Sequence, residues 1–159
     1  MSQRLNYMQQ SPEFFKKLME FNNVQNGCAI EQTILDLVHL RASQINGCGF
    51  CLDMHAKEAK IHGERELRIY HLPIWRESTL FSPRERAALE WTETVTKLPE
   101  HGIPDEAYNR VREHFSEKGI SDLTFSITII NAWNRLSISF KNVPGSADAA
   151  YGLTKAGLN

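Results

Sequence analysis

The stretch Asn46-Gly47-Cys48-Gly49-Phe50-Cys51-Leu52-Asp53-Met54-His55 decides how this chain is read. Asn46-Gly47 is a helix stop, because asparagine and glycine tolerate the left-handed backbone that ends a helix. Two cysteines separated by two residues follow at once, and they can close a small disulfide ring and cycle between dithiol and disulfide. The pair straddles the start of a new helix, where the helix dipole favours an anion such as a thiolate. On that helix Cys51 and His55 are four residues apart and share a face. A neutral histidine there can take a thiol proton, and the imidazolium then steadies the thiolate. An ordinary cysteine, with a pKa of about 8.5, is only a few per cent ionised at pH 7. Lowering that pKa by about one and a half units makes it roughly half thiolate, a stabilisation of about 2 kcal/mol.

Working outward, both flanks of the pair read as helix. Upstream, Ile30, Ile34, Leu37, Val38, Leu40, Ala42 and Ile45 recur at spacings of three and four. Downstream, the helical pattern runs from Phe50 to His62 and Gly63 closes it. A thioredoxin-like fold needs strands around its C-x-x-C, so it is rejected. A helix is expected from Pro12, with Ser11 as its cap and Phe14, Phe15, Leu18, Met19 and Phe21 as its apolar face. Glu64 to Leu72 forms a short helix ended by Pro73, and residues 74–81 a loop. Ser82-Pro83-Arg84-Glu85 is a capping box that opens a helix to about Leu98. Gly102-Ile103-Pro104-Asp105 opens another to about Phe115. The segment from Asp122 to Phe140, capped by Ser121, alternates like a strand at Leu123, Phe125, Ile127 and Ile129. No other segment offers it a strand partner, so it is assigned as a buried helix. The fold class is all-α, one domain over residues 1–159 with its motif core at about 30–145 and an irregular Gly/Ala-rich tail at 143–159.

Bulk properties agree. The chain has 159 residues and a net charge of −1, enough length for a core without disulfide staples. No basic block marks a nucleic-acid binder, and no apolar run approaches the ~20 residues of a membrane span. The amino-terminal residues lack the apolar core of a signal peptide, which points to the cytoplasm. There a close cysteine pair, in a chain with three cysteines, is catalytic or metal-binding more often than structural. Zinc on Cys48, Cys51 and His55 lacks a fourth ligand, and two packed structural thiols are the plain alternative. Cys28 reads as a small packed residue. His62, His71, His101 and His114 read as surface, His39 as facing solvent or an interface, and Arg41 as the partner of a carboxylate. Trp75, Trp91 and Trp133 read as core, and Asn131, Asn134 and Arg135 as satisfying helix ends or an interface.

The run from Leu35 through Asn46-Gly47-Cys48-Gly49-Phe50-Cys51 to His55 resembles the signature of AhpD-like alkylhydroperoxidases, in the carboxymuconolactone decarboxylase superfamily. The likeness continues through Trp75-Arg76-Glu77-Ser78, Leu80 to Leu89, and Ile130 to Arg135. It implies an all-helical fold, assembly into trimers or hexamers, and thiol peroxidase activity on organic hydroperoxides. It implies no bound cofactor and no metal, but an external dithiol as electron donor. The resemblance assigns Cys51 as the attacking thiolate, His55 as its base and Cys48 as the resolving thiol. Asp36 occupies the position of the family's usual glutamate, one methylene shorter, and Phe50 replaces a histidine that some members carry. The helix-end argument taken alone favours Cys48 as the more acidic thiol. A disulfide reductase or isomerase using the same pair is the alternative function. The superfamily's decarboxylase branch, which works without paired cysteines, is disfavoured by their presence.

Overall fold

The computed structural model describes residues 2–158; Met1 and Asn159, the outermost residues of the expected domain and tail, lie outside them. Every regular element among the described residues is helical, as expected. In chain order they are α1 (Tyr7–Gln10), α2 (Pro12–Val24), a 3-10 turn (Gln25–Gly27), α3 (Gln32–Asn46), α4 (Gly49–Ile61) and α5 (Glu66–His71). After a second 3-10 turn (Leu72–Ile74) come α6 (Pro83–Lys97), α7 (Asp105–Arg112), α8 (Glu117–Phe140), α9 (Asp148–Tyr151) and a last 3-10 turn (Leu153–Ala156).

Helix α3 is the axis of the bundle, packed against α4, α6 and α8. One side of it places Ile34, Leu35 and Val38 among Ala88 and Trp91 of α6 and Leu123 and Ile127 of α8. Another places Leu37 and Leu40 against Ala59, Leu72, Trp75, Phe81 and Leu89. Its carboxy-terminal end brings Ala42 to Ile130 and the two motif cysteines. Because α3 is covered from several directions, its apolar positions are near-continuous and its polar ones need partners. Arg41 finds one, as expected: Glu93 Oε1 of α6 lies 2.7 Å from its Nη2, and Trp75 Nε1 and Arg76 Nη1 donate to the same carboxylate at 2.8 Å each.

Several expectations are corrected. Helix α2 starts at Pro12, but Ser11 makes no side-chain cap, and none of its side chains is fully buried. Phe14 is 82% exposed, so the apolar stripe of α2 covers the bundle only at its edge. Helix α8 begins a turn earlier than Ser121, because Ser116 accepts the Gly119 N–H at 3.1 Å and caps it there. The tail is not irregular: α9 and the final turn bury Leu153 and Ala156 against α4. Lys57 of α4 anchors this tail, with Asp53 Oδ2 at 2.9 Å and Asp148 Oδ2 at 2.7 Å. The capping box at Ser82 forms as expected, with both reciprocal bonds to Glu85. None of the helices in the described residues is long and apolar enough to cross a membrane.

Candidate active site

The junction between α3 and α4 positions the thiols. Gly47 takes φ of +68°, a left-handed conformation open to glycine, and turns the chain sharply. The Gly47 and Cys48 amides cap α3 by donating to Gln44 and Ser43 carbonyls at 3.2 and 3.0 Å. Cys48 is then the N-cap of α4, and its Sγ accepts the Cys51 N–H at 3.3 Å. From α8, Asn131 and Asn134 reach across to Asn46, whose Nδ2 donates to their Oδ1 atoms at 3.0 and 2.8 Å. Asn134 Nδ2 in turn donates to Ser43 Oγ at 3.1 Å. These asparagines therefore tie down the helix end that carries the motif, as their placement in an apolar helix suggested.

The two sulfurs stand 2.6 Å apart as free thiols, each 1% exposed. The Cys51 thiol donates to Cys48, and this bond is the main reason that Cys48 is brought down to about 7. Burial opposes the shift, while the Cys51 amide, Asn134 and Ser137 add to it. Cys51 moves the other way, raised by giving its proton to Cys48, by burial, and by the charge on Cys48. The pair thus holds one shared proton, with the anion on Cys48 in the resting state. Cys48 is the more acidic sulfur here, with the Cys51 thiol as the leading cause.

Cys51 lines a cavity of about 610 Å³; Cys48 lies behind it and does not. Aromatic and apolar side chains, Tyr7, Phe15, Phe50 and Trp133 among them, form much of the wall near the thiol. Trp133 is therefore a wall residue, half-buried with its Nε1 on Asn22 Oδ1 at 3.0 Å, whereas Trp75 and Trp91 are core. The remaining wall is polar and titratable: Asp36, His39, His55, Glu58 and His62.

Three of the four expected site residues, Cys51, His55 and Asp36, thus share one cavity wall, with Cys48 directly behind. Their connections differ from the expected relay. Among the described residues no hydrogen bond joins His55 to either sulfur; its Nδ1 lies 2.6 Å from Glu58 Oε2. Asp36 accepts from Gln32 Nε2 at 2.9 Å and from His62 Nδ1 at 2.8 Å. Its shorter side chain is engaged with His62 rather than with His55. Burial raises the Asp36 carboxyl above its ordinary value, with the bonds from Gln32 and His62 pulling the other way.

His62 and His101 are exposed, as expected, His62 pairing with Asp36, whereas His71 and His114 are half-buried rather than surface. His39 is half-buried and lines the same cavity, its ring 4.9 Å from that of His55. Ser126 Oγ donates to Gln25 Oε1 at 2.7 Å, so His39 Nε2 must donate to Ser126 at 3.0 Å. Burial first, and then the neighbouring His55, hold His39 well below its ordinary pKa, so it is neutral. Glu58 stands three residues from His55 on one helix, a spacing legible in the sequence but not singled out. Among the described residues no cluster of three or more His, Cys, Asp or Glu side chains is arranged to hold a metal ion.

An all-helical bundle with a C-x-x-C at the start of α4 defines an AhpD-like protein. A model of the carboxymuconolactone decarboxylase family matches residues 12–94, and the chain belongs to that family, whose superfamily consists of enzymes. The chain is 45% identical over 142 residues to the uncharacterised protein YdfG of Bacillus subtilis, covering 89% of this chain and 97% of that one. A crystal structure from Agrobacterium tumefaciens, of a protein of unknown function proposed to be the antioxidant defence protein AhpD, matches with a TM-score of 0.86. Its identity is 42%, covering 90% of this chain and 98% of that one. The debrominase Bmp8 shares the fold with a TM-score of 0.78 at 16% identity, over 94% of this chain and 80% of that one.

Proposed function

We propose that this protein is a thiol-dependent peroxidase that reduces organic hydroperoxides by cycling Cys51 and Cys48 between dithiol and disulfide. The observation that carries the reading is the placement of Cys51 on the wall of a largely apolar cavity, with an acidic partner thiol 2.6 Å behind it. The Cys48 thiolate takes the Cys51 proton, and Cys51 attacks the terminal peroxide oxygen. The S–O bond forms as the O–O bond breaks, giving Cys51 sulfenic acid and an alkoxide that leaves as the alcohol. The Cys48 thiol then displaces hydroxide from the sulfenic sulfur, and its proton completes a water molecule. An external dithiol returns the disulfide to the resting pair.

His55, on the same cavity wall but touching neither sulfur, is the base that takes the proton lost when the dithiol becomes the pair sharing one proton. Glu58 fixes its tautomer, so the neutral ring carries its lone pair on Nε2. Asp36 and His62 form a second acid–base pair on the same wall. Cys48 and Cys51 are each 1% exposed and Cys51 alone lines the cavity, so peroxide and external dithiol alike reach the pair through Cys51. The exposed aromatic edge of Phe14, Phe21 and Phe125 suits a homo-oligomer, trimer or hexamer, and the thiol chemistry suits the reducing cytoplasm.

The test is the intact mass of reduced protein after one equivalent of cumene hydroperoxide. Rapid loss of two hydrogens, mapped to Cys48 and Cys51, is the expected result. An unchanged mass would refute the reading.

A further inference from the structure

Tyr7 lies in the short helix α1, far in sequence from the thiol motif and outside the residues matched by the family model. Its ring is 8% exposed and packs on Phe15 and Phe140, with centroids at 6.3 and 5.4 Å. That side of the ring borders a separate apolar groove formed with Leu5, Phe14, Leu18 and Leu136. The hydroxyl points the other way. Its hydrogen-bond partner Asn142, and Ser137 beside it, line the Cys51 cavity and not the groove.

The orientation of Asn142 fixes what the hydroxyl can do. Gln3 Nε2 donates to Asn142 Oδ1 at 3.0 Å, which turns the Asn142 amide nitrogen toward Tyr7 and Ser137. That nitrogen donates to Tyr7 Oη at 3.3 Å and to Ser137 Oγ at 3.2 Å. Each hydroxyl oxygen is therefore an acceptor in this network, and each keeps its own hydrogen to give elsewhere. Tyr7 and Cys51 line the same cavity, so the two groups face one space. Burial foremost keeps the phenol above its ordinary pKa, so its proton is in place throughout the neutral range.

Peroxide cleavage in such a cavity has an unmet need. The alkoxide expelled by Cys51 is a far stronger base than a phenolate and needs a proton donor placed beside it. His55 and Asp36 are already engaged with Glu58 and His62. We propose that Tyr7 is the general acid of the reaction, its hydroxyl protonating the alkoxide oxygen as the O–O bond breaks at Cys51. The inference rests on the peroxidase reading above. Sulfur loses two electrons to the new S–O bond, the peroxide gains two, the alkoxide takes the phenolic proton and departs as alcohol, and the Tyr7 phenolate recovers a proton from solvent. Ser137 and Asn142 hold the phenol in place.

The experiment compares wild type and Tyr7→Phe on two substrates, cumene hydroperoxide and peracetic acid. Cumene hydroperoxide expels an alkoxide that needs a proton, whereas peracetic acid expels acetate, which does not. The variant should lose about 100-fold in kcat/KM for cumene hydroperoxide, the scale of general-acid catalysis, and stay within about twofold for peracetic acid. Equal losses on both substrates, or no loss on either, would overturn the role of Tyr7. Wild-type protein inert toward both would instead overturn the peroxidase reading. Wild-type and variant melting curves are compared alongside, and Tyr7→Trp, which fills the groove without a phenol, must reproduce the substrate-selective loss.

Discussion

His55 turns its Nδ1 toward Glu58, 2.6 Å away and three residues further along α4, so that Nδ1 is the nitrogen that donates. A carboxylate in this position fixes the tautomer and steadies any imidazolium that forms. Replacing Glu58 with Ala should lower kcat/KM about tenfold, and His55→Ala about 100-fold, the range for a positioned base. Steady-state peroxide consumption measures both. If Glu58→Ala left the rate and its pH profile unchanged, the pairing would have no catalytic consequence.

The acidity of Cys48 has a direct reading. Thiolate absorbance near 240 nm in the reduced protein should rise with a midpoint of about 7, one thiolate per chain. Its leading cause is the Cys51 thiol, so Cys51→Ser, whose hydroxyl is a different donor, should move that midpoint. Cys51→Ala, which removes the donor altogether, should raise it further. The sign for stability follows. The Cys48 contribution to stability grows as pH rises through about 7, and the raised Cys51 thiol takes it back as pH passes the ordinary thiol range.

Glu93 accepts from Arg41, Trp75 and Arg76 at the centre of the bundle. Burial alone would raise its carboxyl, but Trp75, Arg76 and Arg41 outweigh burial and hold it below its ordinary value. Glu93→Ala leaves Arg41 without its counter-ion and should cost about 3–5 kcal/mol in urea unfolding. The wild-type contribution is present above the ordinary carboxylate range and is lost as pH falls through the lowered value, so the variant should show a flatter acid limb.

Lys57 holds the tail through Asp148, beside Asp53, which accepts the Gly145 N–H, and that tail supplies Ser146, Ala147 and Tyr151 to the cavity wall. Lys57→Met should speed proteolysis beyond residue 142 and raise KM severalfold while kcat changes little, because the loss is of uniform binding. Limited trypsin digestion and peroxide kinetics check the two effects separately.

The thiol junction was legible because its signals are local. Asn46-Gly47 needs only neighbouring residues to end α3, and the Ser82 box needs only Glu85. The start of α8 was misplaced because the strand-like alternation from Leu123 hid a first turn containing Gly119, which Ser116 caps. The tail was misread because its order comes from Lys57, 91 residues from Asp148 in sequence, and from burial of Leu153 and Ala156. The same reason hid His39 and Tyr7. His39 is defined by Ser126, 87 positions away, and Tyr7 by Asn142, 135 positions away. Periodicity reports which face of a helix is buried, not which polar group from elsewhere in the chain meets it.

The assignment of Cys51 as the attacking sulfur is tested most directly by trapping. Cys48→Ser protein, reduced and treated with cumene hydroperoxide and dimedone, is digested and mapped by mass spectrometry. A single dimedone adduct is expected on Cys51, and none on Cys48 in the matching Cys51→Ser protein. An adduct on Cys48 in the Cys51→Ser protein, with none on Cys51 in the other, would contradict it and reverse the roles of the two thiols.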